Sequence, residues 1–181
     1  MVEATFGGVD VVVNKAGFFQ PNVPLEEMPL DLRRRHLAVN LDGTFVGCEH
    51  GILRMKGRSG GAIVNIGSGM SIKTNATANA YCASNAAVPM TTHTAAASAG
   101  RYNNWVDSVL PGATDTNMLV GNLVEGQDAG EFLDYLARQS ALRRLATPDD
   151  IAHGVLMLAD RASGAISGIY LLVYGGNMPG A

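Results

Sequence analysis

Residues 61–68 read GAIVNIGS. The apolar run does not alternate with polar positions, as a strand wet on one face would, and it stops at Gly67 and Ser68. A β-branched run of this kind, bounded by glycine, is the pattern of a strand buried on both faces in a parallel sheet covered by helices. The pattern recurs upstream in VDVVVN (9–14) and downstream in WVDSVL (105–110) and GIYLLV (168–173). Helical stretches separate these runs: 29–56, 78–99, two shorter pieces within 117–141, and 148–160. The last has Thr147 as its N-cap, Pro148 at the first helical position, and Asp149 and Asp150 in its first turn. Alternation of strand and helix predicts an α/β fold with a parallel sheet. Right-handed crossovers then put residues 9–14 at the start of that sheet, with an outer edge that has no partner in this chain. Pro89 falls inside the helix at 78–99, where the loss of a backbone donor costs about 3 kcal/mol unless a kink absorbs it.

A chain of 181 residues, 47% hydrophobic and 16% charged, predicts one domain over 1–181 with a sizeable core. A net charge of -3 argues against nucleic acid or an anionic membrane as the main partner, since both require basic clusters. The basic run Arg33, Arg34, Arg35 reads as a solvated helix face. Cys48 and Cys82 are isolated thiols without metal or disulfide spacing, and the four histidines are scattered, so no metal site is expected. The thiols fit a reducing cytoplasm. The first residues lack a signal-peptide pattern, and no apolar run approaches a bilayer's span.

In open α/β sheets ligands bind beyond the carboxyl ends of the strands. The four loops there, NKAG, GSGMS, PGATDT and YGG, all contain glycine, which lets backbone approach a ligand closely. Known motifs fail in them. GSG at 67–69 is not a dinucleotide fingerprint because Ile72 stands at the third glycine position, and Ile66 and Met70 flank Ser68 where a nucleophile elbow needs glycine. Two hydroxyls remain, Ser68 at a strand end and Tyr81 early in the next helix. Both lie at one end of the sheet, where Ser68 is placed to donate a hydrogen bond and Tyr81 a proton to one substrate oxygen.

With those residues in view, the chain resembles the short-chain dehydrogenase/reductase family over essentially its whole length. The resemblance runs through VDVVVNKAG, VNLDGTF, GGAIVNIGS, YCASN, VLPGATDT, TPDDIAHGVLMLAD and GIYLLVYGG. It implies a doubly wound, Rossmann-like sheet from which the first three strands are missing, so that the chain is the C-terminal, catalytic and substrate half of the fold. It also implies roles: Asn40 supports a proton-relay water, Ser68 polarises the substrate oxygen and Tyr81 exchanges the proton. The cofactor side comprises Asn14, Ala16 and Gly17 of NKAG, and Pro111, Gly112 and Thr116 of PGATDT, with Thr116 at the nicotinamide amide. Asn85 stands where the family has the lysine that lowers the tyrosine pKa. Smaller departures are Lys15 and Asp107 where asparagine is usual, and Tyr174 where aspartate is usual.

The resemblance implies hydride transfer between NAD or NADP and a secondary alcohol or ketone, weakened by Asn85 and by the missing glycine-rich loop that holds the cofactor pyrophosphate. It also implies a homo-oligomer. Two other readings stay open: a non-catalytic binding or assembly module of the same fold, and a cofactor-free hydrolase using Ser68 and Tyr81.

Overall fold

The computed structural model describes residues 2–176. The four β-branched runs form β1 (Val11–Asn14), β2 (Gly61–Ile66), β3 (Asn104–Pro111) and β4 (Tyr170–Val173), all parallel and in the order β1-β2-β3-β4. Val13 lies opposite Val64, Val64 opposite Asp107, and Val109 opposite Leu171. β2 is almost wholly buried, and β3 is buried until its last residue, which explains why neither alternates in sequence.

Helices cover both faces. On one lie α3 (Gly43–Met55) and α4 (Asn79–Ala99), whose Cys48, Met55, Ala95 and Ala99 close on Ile63 and Val106. On the other lies α7 (Pro148–Ala159), whose Ile151, Val155 and Leu158 pack with Val64, Ile66 and Val109. Successive strand residues therefore feed two separate cores, the doubly wound α/β arrangement expected from the sequence. β1 is an edge strand among the described residues.

The remaining helices are α1 (Val2–Phe6), α2 (Leu30–His36), α5 (Asn117–Val120) and α6 (Ala129–Gln139). The sequence reading did not include α1, and it took α2 and α3 as one helix. They are joined by a π-helical turn, Leu37–Asp42, which lets one extra residue into the spiral and turns Asn40 inward. The start of α7 matches its reading residue for residue. Thr147 Oγ1 accepts the Asp150 amide, and the Asp150 carboxylate accepts the Thr147 amide. The helix carrying Pro89 is unbroken from Asn79 to Ala99. No helix among the described residues is long and apolar enough to cross a membrane.

Candidate active site

Gly67 and Ser68 end β2 against the last residues of β3. A side chain at Gly67 would meet Leu110 at 2.6 Å, and one at Gly69 would meet the Pro111 carbonyl at 3.2 Å. The backbone therefore passes close to its neighbour, and Ser68 becomes the N-cap of a short 3₁₀ turn, Gly69–Ser71. Its Oγ accepts the Met70 amide at 3.1 Å. Its side chain is also the hydrogen-bonding neighbour that acts on the pKa of Tyr81, the third residue of α4. The two residues separated in sequence are thus brought together at the carboxyl edge of the sheet.

Two aromatic rings flank the half-buried Tyr81 ring. Phe19 meets it edge-on at 4.6 Å between centroids, and His36 lies 6.4 Å away. The loop carrying Phe18 and Phe19 is held by Asn40, whose Oδ1 accepts the Phe18 amide at 2.7 Å. Asn40 Nδ2 donates to the Phe18 carbonyl at 2.9 Å and to Ser84 Oγ, one turn along from Tyr81, at 3.0 Å. His36 is fully buried, and its Nε2 accepts the Gln20 amide at 3.3 Å, which puts the ring proton on Nδ1, facing the Leu32 carbonyl. Sequence reasoning found Asn40 but missed Phe18, Phe19 and His36, because ring contact depends on the path of an irregular loop.

These surroundings raise the pKa of the Tyr81 phenol above its ordinary value. Burial is the main cause; the Ser68 hydrogen bond opposes it and the neighbouring Cys82 adds to it. No cation contributes. Asn85 is buried one turn beyond Tyr81, but its Nδ2 donates at 3.1 Å to the backbone carbonyl of Tyr81 and not to the phenol. The shared helical face is present, yet the side chain on it closes onto its own helix. Lys15 is exposed to solvent.

Asn14 ends β1 with its carboxamide turned inward. Nδ2 donates to Asn65 Oδ1 at 2.8 Å, and Asn65 Nδ2 donates to Thr92 Oγ1 at 3.0 Å, so Asn14 anchors a polar chain between sheet and helices. Gly47 leaves room for it, since a side chain there would strike Asn14 Oδ1. Ala16 and Gly17 follow on an exposed stretch. A side chain at Gly17 would meet Asn40 Oδ1 and the Lys15 carbonyl only at an ordinary 3.9 Å. Gly112 has a different constraint: its missing side chain is filled by Tyr174, 2.2 Å from where a Cβ would stand. Thr116 is exposed at the head of α5, donating to the Thr114 carbonyl at 3.3 Å. No group of His, Cys, Asp and Glu among the described residues is arranged to hold a metal ion.

An open parallel α/β sheet with a hydroxyl pair at its carboxyl edge defines a doubly wound fold with its site where such folds bind ligands. The family model for enoyl-(acyl carrier protein) reductases matches residues 1–177. The cis-4-hydroxycyclohexanecarboxylate dehydrogenase of Sinomonas cyclohexanicum is 34% identical over 173 residues, which is 96% of this chain and 67% of that protein. A gluconate 5-dehydrogenase structure from Burkholderia cenocepacia J2315, in complex with NADP and tartrate, is 32% identical with a TM-score of 0.88, covering 97% of this chain and 67% of that one. The ligand-free aldohexose dehydrogenase of Thermoplasma acidophilum is 27% identical with a TM-score of 0.90, covering 97% of this chain and 70% of that one. The chain belongs to the short-chain dehydrogenase/reductase family. It spans about two thirds of the length of the curated relatives it matches, 67%, 65% and 61% for three of them.

Proposed function

We propose that this chain is the catalytic half of an NAD(P)-dependent oxidoreductase acting on a secondary alcohol or ketone, with weakened activity. The placing of Ser68 after β2 and Tyr81 at the start of α4, at one end of the sheet, carries the reading. Similarity to dehydrogenases, one of them solved with NADP, supports the reaction class. A nicotinamide cofactor, when bound, supplies or accepts the hydride. Ser68 holds the substrate oxygen, Tyr81 gives or takes its proton, and Asn40 keeps the loop over the phenol in place. Asn14, Ala16 and Gly17 of the loop after β1 and Pro111, Gly112 and Thr116 of the loop after β3 would hold the cofactor's nicotinamide side. The sequence has no G-x-G-x-x-G run to grip the pyrophosphate, so binding in the isolated chain is weak. The free thiols of Cys48 and Cys82 suit a reducing cytoplasm. The exposed edge at β1 suits a homo-oligomer.

A second reading, a non-catalytic binding module of the same fold, is favoured by one observation: burial pushes the phenol's pKa up, away from the neutral value a proton-transfer group needs. NAD(P)H oxidation against a panel of secondary ketones separates the two. Asn85→Lys is expected to raise turnover, since a cation beside the phenol favours its ionised form, by up to the roughly hundredfold to ten-thousandfold range of general acid–base catalysis. Tyr81→Phe is expected to abolish it. If turnover survives Tyr81→Phe, Ser68 and Tyr81 are not the reacting pair; if neither the chain nor Asn85→Lys turns over any ketone, the second reading takes the lead.

A further inference from the structure

Pro89 sits mid-way along α4 and carries no amide hydrogen, so the carbonyl of Asn85, four residues earlier, has no intrahelical donor. Both residues are buried, out of reach of bulk water. A buried carbonyl left in that state needs another partner. It has one in Ser71, whose Oγ donates to the Asn85 carbonyl at 2.8 Å. The same oxygen accepts the backbone amide of Ser68 at 3.3 Å, and Ser68 Oγ accepts the Met70 amide in return. These two bonds are the reciprocal cap of the 3₁₀ turn. One hydroxyl therefore joins the gap opened by Pro89 to the loop that presents Ser68.

We infer that Ser71 is a positioning residue for the hydroxyl pair: Pro89 leaves the Asn85 carbonyl open, Ser71 docks into it, and this docking sets Ser68 against Tyr81. The inference rests on the reading of Ser68 and Tyr81 as the reacting pair, but it concerns geometry that exists without cofactor or turnover. Hydroxyl geometry explains the arrangement. Serine has one hydrogen to donate and lone pairs to accept with, and here the donor goes to the helix while an acceptor goes to the loop. An alanine at position 71 would lose both connections, whereas an alanine at position 89 would close the carbonyl from within the helix and make the docking unnecessary.

The test reads the Tyr81 phenol directly. Tyrosine labelled with ¹³C at Cζ is incorporated in the full chain, the Tyr81 resonance is assigned by its loss in Tyr81→Phe, and its shift is followed with pH beside the melting temperature. The titratable groups around the phenol are Cys82 on its own helix and His36 on α2, and both are retained in every variant. Ser71→Ala should lower the melting temperature and move the Tyr81 titration to higher pH, because the Ser68 hydrogen bond that favours the phenolate loosens. Ser71→Ala combined with Pro89→Ala gives the carbonyl an amide partner, so the melting temperature should recover while the titration stays high. Ser71→Thr keeps the hydroxyl and should titrate as the wild type. If the double variant regains the wild-type titration along with its stability, Ser71 merely fills a gap and the positioning role is overturned. An unmoved titration in Ser71→Ala overturns it as well. Should Ser71→Ala fail to fold, the double variant still decides, and absence of turnover in the wild type leaves this readout intact.

Discussion

At position 107 a carboxyl group lies fully buried in the middle of β3. One oxygen accepts the Ile169 amide at 2.9 Å; the other has no hydrogen-bond partner. Burial raises the pKa of the group, and the amides of Ile169 and Gly168 oppose the rise only in part. An unfolded aspartate titrates near ~3.9. A folded value above that means that stability is fully present below the unfolded value and is lost as pH rises through the folded one. Asp107→Asn removes the ionisation and keeps the shape. It is expected to melt higher than the wild type at pH 7, because no charge then has to be buried, with the gap closing as pH falls towards the unfolded value. Parallel melting profiles across that range would mean that Asp107 carries no such cost. The sequence marked Asp107 as a departure from the family pattern, where asparagine is usual. It did not show that no cation faces the carboxyl, because that depends on which elements cover each side of the strand.

Elements whose signals are local were legible. The N-cap of α7 is an example, since Thr147, Pro148 and Asp150 act within one turn and need nothing from the rest of the fold. Arg144 also pairs with Asp150, at 3.0 Å for Nη2 to Oδ1, and holds that carboxyl well below the usual range. α7 supplies Leu158 and Val155 to one of the two cores, so its cap bears on the whole sheet. Thr147→Ala should cost about 1 kcal/mol and lower the melting temperature by roughly 2–4 °C for a chain of this length, measured by circular dichroism. A change within error would show that the Asp150–Arg144 contact alone holds the helix start. Pro89 was legible as a problem but not its solution. Local rules say that the Asn85 carbonyl loses its donor, whereas the donor that replaces it comes from Ser71, fourteen positions away in sequence. The π turn was invisible for a related reason: its extra residue is held in place by Asn40 reaching across to Phe18 and Ser84.

For the whole molecule, the four strands and their order followed from apolar runs and the right-handed crossover rule, which is why the sheet could be placed before any contact was known. Ser68 and Tyr81 were legible as a strand end and a helix start, whereas Asn40, inside the turn Leu37–Asp42, came only from the family resemblance. The aromatic flank of the site was not legible, because it is built by the loop through Phe18 and Phe19. The same sheet rules expose what is unfinished. β1 packs Val12 towards α3, but Val11 and Val13 point to the other face, where α7 covers the later strands, and they remain 45% and 43% exposed. The outer edge of β1 adds a row of free backbone donors and acceptors. α3 further exposes Phe45, Val46 and Leu53, and α4 exposes Met90. A bare strand face, an open edge and apolar helix surface on one small chain are the features that self-association would cover. We therefore expect light scattering at micromolar concentration to give a mass at least twice the 18.9 kDa of one chain. Val13→Lys, which puts a charge on the bare face beside the edge, should shift the chain towards monomer without loss of helix content. A monodisperse monomer in the unaltered chain would mean that the edge at β1 is protected by its twist and short length alone. Retention of the larger mass in Val13→Lys would move the interface to the apolar surfaces of α3 and α4.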